Sequence, residues 1–88
     1  KLRACVYIVE CRDGTFYTGW TNDLEKRLAA HNDGSGAKYT RGRGPVKLVY
    51  SEECASKEAA LSRELAIKRL DRGGKLQLIT GKNTVRQH

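Results

Sequence analysis

The rhythm of apolar and polar positions changes repeatedly along the chain, and each change marks an element. Ala4-Cys5-Val6-Tyr7-Ile8-Val9 is an unbroken run rich in β-branched residues, which predicts a strand buried on both faces. Arg12-Asp13-Gly14 is a turn signal, and Thr15-Phe16-Tyr17-Thr18 reads as a second strand, so the two predict an antiparallel hairpin. Two registers are open. A two-residue Asp13-Gly14 turn sets Tyr17 opposite Glu10 and puts Tyr7 and Tyr17 on opposite faces. A three-residue Arg12-Asp13-Gly14 loop, with Gly14 left-handed as a bulge, sets Tyr17 opposite Val9 and puts both tyrosines on one face.

From residue 22 the period lengthens to that of a helix. Asn22 is the expected N-cap, with Glu25 three residues on as its capping-box partner, and Gly34 stops the helix after Asn32. Leu24 and Leu28 form its core stripe. Arg27 and His31 form a second stripe beside the first, at the edge of the buried face. Gly34 to Pro45 reads as a loop, and Val46-Lys47-Leu48-Val49-Tyr50 as a third strand. Ser56 caps a second helix reaching Arg69 or Leu70, Gly73-Gly74 end it, and Lys75 to Ile79 add a short terminal turn. The predicted order is β-β-α-β-α: a small α/β domain over 1–80, with a three-stranded sheet flanked by helices. The tail 81–88 lacks apolar periodicity and is expected to fray.

One position in the second helix breaks the pattern. On a wheel of about 100° per residue, Leu61, Leu65, Ala60 and Ile67 define the apolar arc, and Glu64 and Lys68 fall inside it. A carboxylate on a core face is expensive unless paired or bound to a cation. It is either one half of an i, i+4 pair with Lys68 at the rim, worth about 0.3 kcal/mol, or a ligand held dry for a divalent metal. Carboxylate oxygen suits Mg²⁺ or Mn²⁺. Neither His31 nor the terminal His88 builds a zinc site.

Charge narrows the partners. Lys and Arg number 17 against 10 Asp and Glu in 88 residues, a formal +7, which favours phosphate polyanions. No apolar run approaches the length of a membrane span. Cys5, Cys11 and Cys54 are an odd set without a CxxC pair, so reduced thiols in a cytoplasmic protein are expected, not a disulfide framework. The stretch Lys38 to Lys47 carries Lys38, Arg41, Arg43 and Lys47 with no acid, and its glycines let backbone N–H groups approach an anion. Tyr39 is placed to stack on an unpaired base. Lys38, Tyr39, Arg41, Arg43 and Lys47 are therefore candidate nucleic-acid contacts, while Arg63, Arg69 and Arg72 point to solvent. Tyr7, Tyr17 and Trp20 cluster on the hairpin, and a tyrosine inside an apolar strand needs a hydroxyl partner.

Taken together, these residues resemble the GIY-YIG nuclease superfamily, in particular its small single-domain bacterial branch. Cys5-Val6-Tyr7 matches the first motif and Tyr17-Thr18-Gly19 the second. Arg27 and His31 match the Arg-x-x-x-His of the first helix, and Glu64 matches the metal-binding Glu. The match covers residues 4 to 79. Cys-Val replaces the usual Gly-Ile in the first motif, and Thr18 replaces Ile in the second; Asn83 is the one candidate for an Asn that many members carry after the Glu helix. The resemblance implies a metal-dependent endonuclease acting on DNA, single-stranded or branched DNA included, with a place in repair or recombination on the nucleoid. It implies Tyr7 as general base or water-orienter with Tyr17 beside it, Arg27 on the scissile phosphate, His31 orienting or shuttling protons, and one Mg²⁺ or Mn²⁺ on Glu64. That chemistry needs both tyrosines on one face, which selects the three-residue loop. The alternative is a nucleic-acid-binding protein of the same fold that does not cut, or that needs a protein partner for targeting or activity.

Overall fold

Three strands and three helices follow one another in a computed structural model that describes residues 4–33 and 45–85. The elements are β1 (Ala4–Glu10), β2 (Phe16–Thr21), α1 (Leu24–Asp33), β3 (Lys47–Cys54), α2 (Lys57–Lys68) and α3 (Arg72–Val85). The sheet is antiparallel with order β2-β1-β3, so the apolar run of β1 takes the centre. Strand alternation sorts its side chains. Val6 and Ile8 join Ala4, Tyr50, Ala60 and Ile67 in a core beneath α2 and α3, with Leu78 and Ile79 of α3 packed against it. Tyr7 and Val9 join Cys11 and Val46 on the other face, covered by Leu24 and Leu28 of α1.

The hairpin takes the three-residue form. Val9 pairs with Tyr17, Gly14 sits at φ +87°, and the loop closes by Cys11 N–H to Thr15 O and Gly14 N–H to Cys11 O. Asp13 accepts from the backbone N–H and hydroxyl of Thr15, which braces the turn locally. Arg72 of α3 donates to Gly14 O at 2.9 Å and lies over the Phe16 ring, so this arginine ties the hairpin down and is not simply solvated.

Several boundaries differ from the sequence expectation. The cap of α1 is Asp23, whose carboxylate accepts from Lys26 N–H, while Thr21 braces Asp23; Asn22 is passed over because its neighbour offers the same chemistry one residue later. β3 runs on through Ser51-Glu52-Glu53-Cys54, because pairing with β1 satisfies its backbone whatever its side chains are. Val49 is an extra residue in that ladder: Ile8 faces Tyr50 while Val9 faces Leu48. α2 has the predicted Ser56 cap, accepting from Ala59 N–H, and ends at Lys68 with Arg69 as its C-cap. Gly73 and Gly74 do not stop it. They lie in the first turn of α3, whose cap is Asp71, accepting from Gly74 N–H at 2.8 Å. The expected short turn at 75–79 is thus part of a 14-residue helix, and the boundary set at residue 80 falls inside it. Leu78 and Ile79 give that helix a core contact, which overrides its glycines.

Leu61 and Leu65 also depart from expectation. Ala60 and Ile67 are the buried residues of α2, whereas Leu61 is 41% and Leu65 53% exposed. The wheel's buried centre therefore lies further round than four apolar residues suggested. Cys11 is buried and Cys5 and Cys54 half-buried, all as free thiols. Arg63 is engaged as well, donating to Glu52 at 3.1 Å beside the Tyr50 hydroxyl.

Thr18 faces the α2 side of the sheet at 3% exposure, and its hydroxyl oxygen finds no partner among the described residues. Burying an unpaired hydroxyl costs about 1–3 kcal/mol. Thr18→Val keeps the shape and removes that cost. We expect its Tm to rise by about 4–8 °C for each kcal/mol regained, a shift that thermal unfolding followed by circular dichroism will read.

Candidate active site

The site is assembled on the α1 side of the sheet, around the one polar atom that β1 places there. Tyr7 is fully buried. Its cross-strand neighbour is Gly19, and the absence of a side chain there gives the phenol room: a Cβ on Gly19 would lie 2.6 Å from the Tyr7 hydroxyl oxygen. α1 crosses above. Arg27 and His31, one turn apart, point down from it at the same atom. Arg27 Nε donates to Tyr7 Oη at 3.3 Å, and His31 Nε2 lies 2.9 Å from Tyr7 Oη. Tyr17, two residues before Gly19, completes the cluster, with its ring centroid 6.5 Å from that of Tyr7 and 5.4 Å from the His31 ring. The Tyr17 phenol is close enough to Arg27 to help raise the arginine's pKa.

Arg27 has only donors, so Tyr7 Oη accepts from it, and a hydrogen bond of either direction joins the phenol to His31 Nε2 according to the imidazole tautomer. The electrostatics keep the imidazole neutral. Burial and then the Arg27 charge push the His31 pKa below its usual 6.5. Burial raises the Tyr7 pKa above 10; the hydrogen bond and charge of Arg27 act against this, while Tyr17 and Glu64 reinforce it. Arg27, held by the Tyr7 hydrogen bond above all, is raised further and stays a cation. Arg27 thus fails to make Tyr7 a phenolate by itself, because desolvation of a fully buried ring outweighs one neighbouring charge. His31, expected at the edge of the buried face, is 1% exposed and lies within it.

Glu64, on α2, is near enough for its charge to act on Tyr7. Its side chain is 16% exposed, and Oε2 lies 3.3 Å from the ammonium of Lys68, itself 47% exposed. The i, i+4 pair is therefore formed, yet the carboxylate is drier than a rim position requires. No three His, Cys, Asp or Glu among the described residues gather to hold a metal by themselves. That donor set excludes a closed protein cage and fits a hard cation that keeps waters and takes substrate phosphate oxygens. The Lys68 ammonium already occupies one oxygen of the carboxylate, as a cation would.

Local anchors keep the geometry. Asn32 Oδ1 accepts from Val46 N–H at 2.6 Å, locking the end of α1 to the approach to β3. An open cleft of about 230 Å³, lined by Thr21, Asn22, Asp23, Lys26, Arg27 and Ala30, lies alongside Arg27. Of the expected nucleic-acid contacts, Lys47 begins β3 and is exposed, opposite Glu10 and not among the catalytic groups. Lys38, Tyr39, Arg41 and Arg43 lie outside the described residues, as does the Asn83 side chain. Leu61 and Leu65, exposed beside Glu64, are neighbours of the site that the wheel assigned to the core; the signal available for them was that Ala60 and Ile67 alone complete a buried arc.

Comparison with known proteins decides the family. The model of the GIY-YIG catalytic domain matches residues 3–77. The chain belongs to the GIY-YIG family. GIY-YIG relatives span most of its length: a UPF0213 protein of Clostridium perfringens is 64% identical over 78 residues, covering 89% of this chain and 84% of the relative. A UPF0213 protein of Halobacterium salinarum is 56% identical over 70 residues, covering 80% and 91%. The solution structure of a UPF0213 protein from Bacillus halodurans superimposes with TM-score 0.61 at 49% identity, covering 91% of this chain and 85% of that one. The solution structure of a protein from E. faecalis gives TM-score 0.63 at 36% identity, covering 100% and 91%. In GIY-YIG terms, the first motif lies on β1 and the second on β2, side by side. No helix among the described residues is long and apolar enough to cross a membrane.

The buried imidazole has a measurable consequence. Unfolded, His31 titrates near 6.5; folded, its pKa is lower. Above about pH 6.5 neither state holds the proton. As pH falls below that value the unfolded chain takes up a proton that the native site refuses, so stability is lost on acidification. Urea unfolding at pH 7.5 and 5.5 should show this loss for the wild type and a smaller one for His31→Gln. Equal slopes would place the titration elsewhere.

Proposed function

We propose that this GIY-YIG chain is a metal-dependent endonuclease that hydrolyses phosphodiester bonds in DNA. The observation that carries the reading is the convergence of two groups, the cationic donor Arg27 and the His31 imidazole, on Tyr7 Oη. Hydrolysis needs an activated water, neutralised phosphate charge and a stabilised leaving oxygen. A water approaching the phosphate would give its proton to Tyr7 Oη as the phenol passes its own to His31 Nε2. The hydroxide oxygen forms the new bond to phosphorus, and the ester oxygen leaves and takes a proton from solvent. Tyr7 is then a relay and His31 the terminal base, which suits a phenol held above pH 10 and an imidazole held neutral. Arg27 keeps Nε on Tyr7 and has its terminal nitrogens for the phosphate, the fork that lysine lacks. Tyr17 steadies that fork. Glu64 would hold the Mg²⁺ or Mn²⁺, which supplies positive charge to the phosphate and the leaving oxygen.

Net charge supports the substrate class: +7 favours a polyanion, and Lys38, Tyr39, Arg41, Arg43 and Lys47 are the proposed backbone and base contacts. DNA as substrate implies work on the nucleoid, in the cytoplasm, and a role in repair or recombination. A separate protein partner is the proposed source of target selection.

Single-stranded, duplex and branched DNA incubated with Mg²⁺, with Mn²⁺ and with EDTA provide the test. New phosphodiester ends in the metal reactions alone, and none from Glu64→Gln, are the expected result. Wild-type protein that binds these DNAs and cuts none of them with either metal would sink the nuclease reading, leaving a nucleic-acid-binding protein of the same fold.

A further inference from the structure

The cleft of about 230 Å³ beside Arg27 carries chemistry that the reacting centre does not use. Arg27 belongs to both: its Nε donates to Tyr7 Oη, and the same side chain lines the cleft. On α1, Asp23 and Arg27 stand in one i, i+4 row, and Lys26 and Ala30 in the next. Ala30 contributes only a methyl group, which leaves room beside the two cations. Lys26 is exposed, and no ion pair or hydrogen bond holds its ammonium among the described residues. Asn22 is exposed as well. It was the expected helix cap, but Asp23 takes that role and accepts from Lys26 N–H at 3.2 Å. The Asn22 carboxamide therefore lines the cleft with no hydrogen-bond partner among the described residues. The Thr21 hydroxyl, by contrast, is spent on the backbone of Asp23.

The lining sets two cations against one carboxylate, and that carboxylate sits at the start of α1, where the helix dipole offsets it. The cleft is smaller than the roughly 300–1,000 Å³ of sites that enclose a whole ligand, so it takes one group of a longer molecule. An ammonium, a guanidinium and a carboxamide all present N–H donors, which suits a phosphate. In a polynucleotide a second phosphate always lies one nucleotide from the first. We infer that the cleft takes the phosphodiester next to the scissile one, with Lys26 supplying charge and Asn22 donating an N–H to a phosphate oxygen. Arg27, shared by the cleft and the reacting centre, sets the two linkages in register. A phosphate contact of this kind positions the strand without reading its sequence. The inference rests on the proposed DNA substrate and adds a second binding position, which fixes the linkage that reaches Tyr7.

Binding in EDTA tests it without cleavage. The dinucleotide TpT has one phosphodiester and the trinucleotide TpTpT has two. The wild type should bind TpTpT about fivefold more tightly than TpT, the upper end of what an exposed ion pair contributes. Lys26→Ala should keep only the statistical part of that gain, and Lys26→Arg should restore it. Arg69→Ala, which removes an exposed cation at the end of α2, should keep the whole gain. Nuclear magnetic resonance follows the same titrations, and the Asn22 carboxamide signals should move with TpTpT and much less with TpT. On a longer single strand, Lys26→Ala should lower the dependence of log affinity on log salt by about 0.7, the share of one phosphate. Asn22→Ala removes no charge and should leave that slope unchanged. Both side chains are exposed and alanine favours the helix, so these variants keep the fold. An equal gain in the wild type and Lys26→Ala overturns the inference, as do Asn22 signals that stay still with TpTpT. A gain lost equally in Arg69→Ala makes the effect one of overall charge and overturns it too. Wild-type protein that binds none of these DNAs instead overturns the proposed substrate.

Discussion

Glu64→Gln is expected to lower the cleavage rate at saturating Mg²⁺ by about 10³-fold or more, the scale lost when a principal electrostatic contribution to the transition state is removed. Glutamine keeps the shape and one oxygen but loses the charge that a hard cation needs. The same change should be nearly silent in stability. Glu64 is bound to Lys68 across one helical turn, and pairs of that kind contribute about 0.3–0.5 kcal/mol. The two measurements together discriminate between roles. A purely structural Glu64–Lys68 pair predicts a small stability loss and full activity; a metal-holding carboxylate predicts the reverse. Isothermal titration with Mn²⁺ gives a reading free of turnover, since the variant should lose the binding heat that the wild type shows. A variant that keeps that heat and cuts at the normal rate would contradict the assignment.

Gly19→Ala should produce the second large effect, through space alone. An added Cβ would meet Tyr7 Oη at 2.6 Å, Tyr7 Cζ at 2.9 Å and Tyr17 Cε2 at 3.1 Å. Real atoms do not approach so closely, and Tyr7, fully buried, has nowhere to withdraw. Alanine in a strand recovers about 0.5–1 kcal/mol of the entropy that glycine loses on folding. Overpacking a filled site costs about 1–3 kcal/mol. The clash therefore outweighs the gain. A displacement of the phenol by even about 1 Å breaks its contacts to His31 and Arg27, and misplacement on that scale costs about 100-fold in rate. Tyr7→Phe in the Gly19→Ala background removes the nearest atom of the clash. It should return part of the lost stability and none of the activity, a coupling that a double-mutant cycle measures. Normal cleavage by the single variant would show that Tyr7 need not be held in place.

These two positions also show how differently the sequence speaks. Gly19 lies beyond the strand predicted over Thr15 to Thr18; β2 runs on to Thr21 and carries it into the sheet, where a glycine marks a close approach. What approaches became visible only when β2 was laid beside β1. The three-residue turn at Arg12-Asp13-Gly14 was one of two open choices, and the requirement for adjacent tyrosines chose it; Gly14 at φ +87° supplies the bulge. Glu64 was conspicuous as a carboxylate near an apolar arc, but the arc itself was misdrawn.

Local rules explain the successes. The apolar run of β1, the Ser56 cap and the Leu24–Leu28 stripe depend on interactions within a few residues, and the sequence alone determined them. The formal +7 favours a polyanionic partner in the same way, since net charge does not depend on the fold. Long-range packing decided the remainder. Leu78 and Ile79 finding the core beneath the sheet made α3 a helix through two glycines. Packing of α2 on β1 and β2 buried Ala60 and Ile67 and left Leu61 and Leu65 largely exposed, because a helix's buried face is chosen by what it packs on and not by its own apolar count. The protonation of the Tyr7–His31 pair belongs to the tertiary structure as well. Residues 24 apart in sequence share one hydrogen bond in a dry site, where desolvation outweighs the charge of Arg27 at Tyr7 and acts together with it at His31.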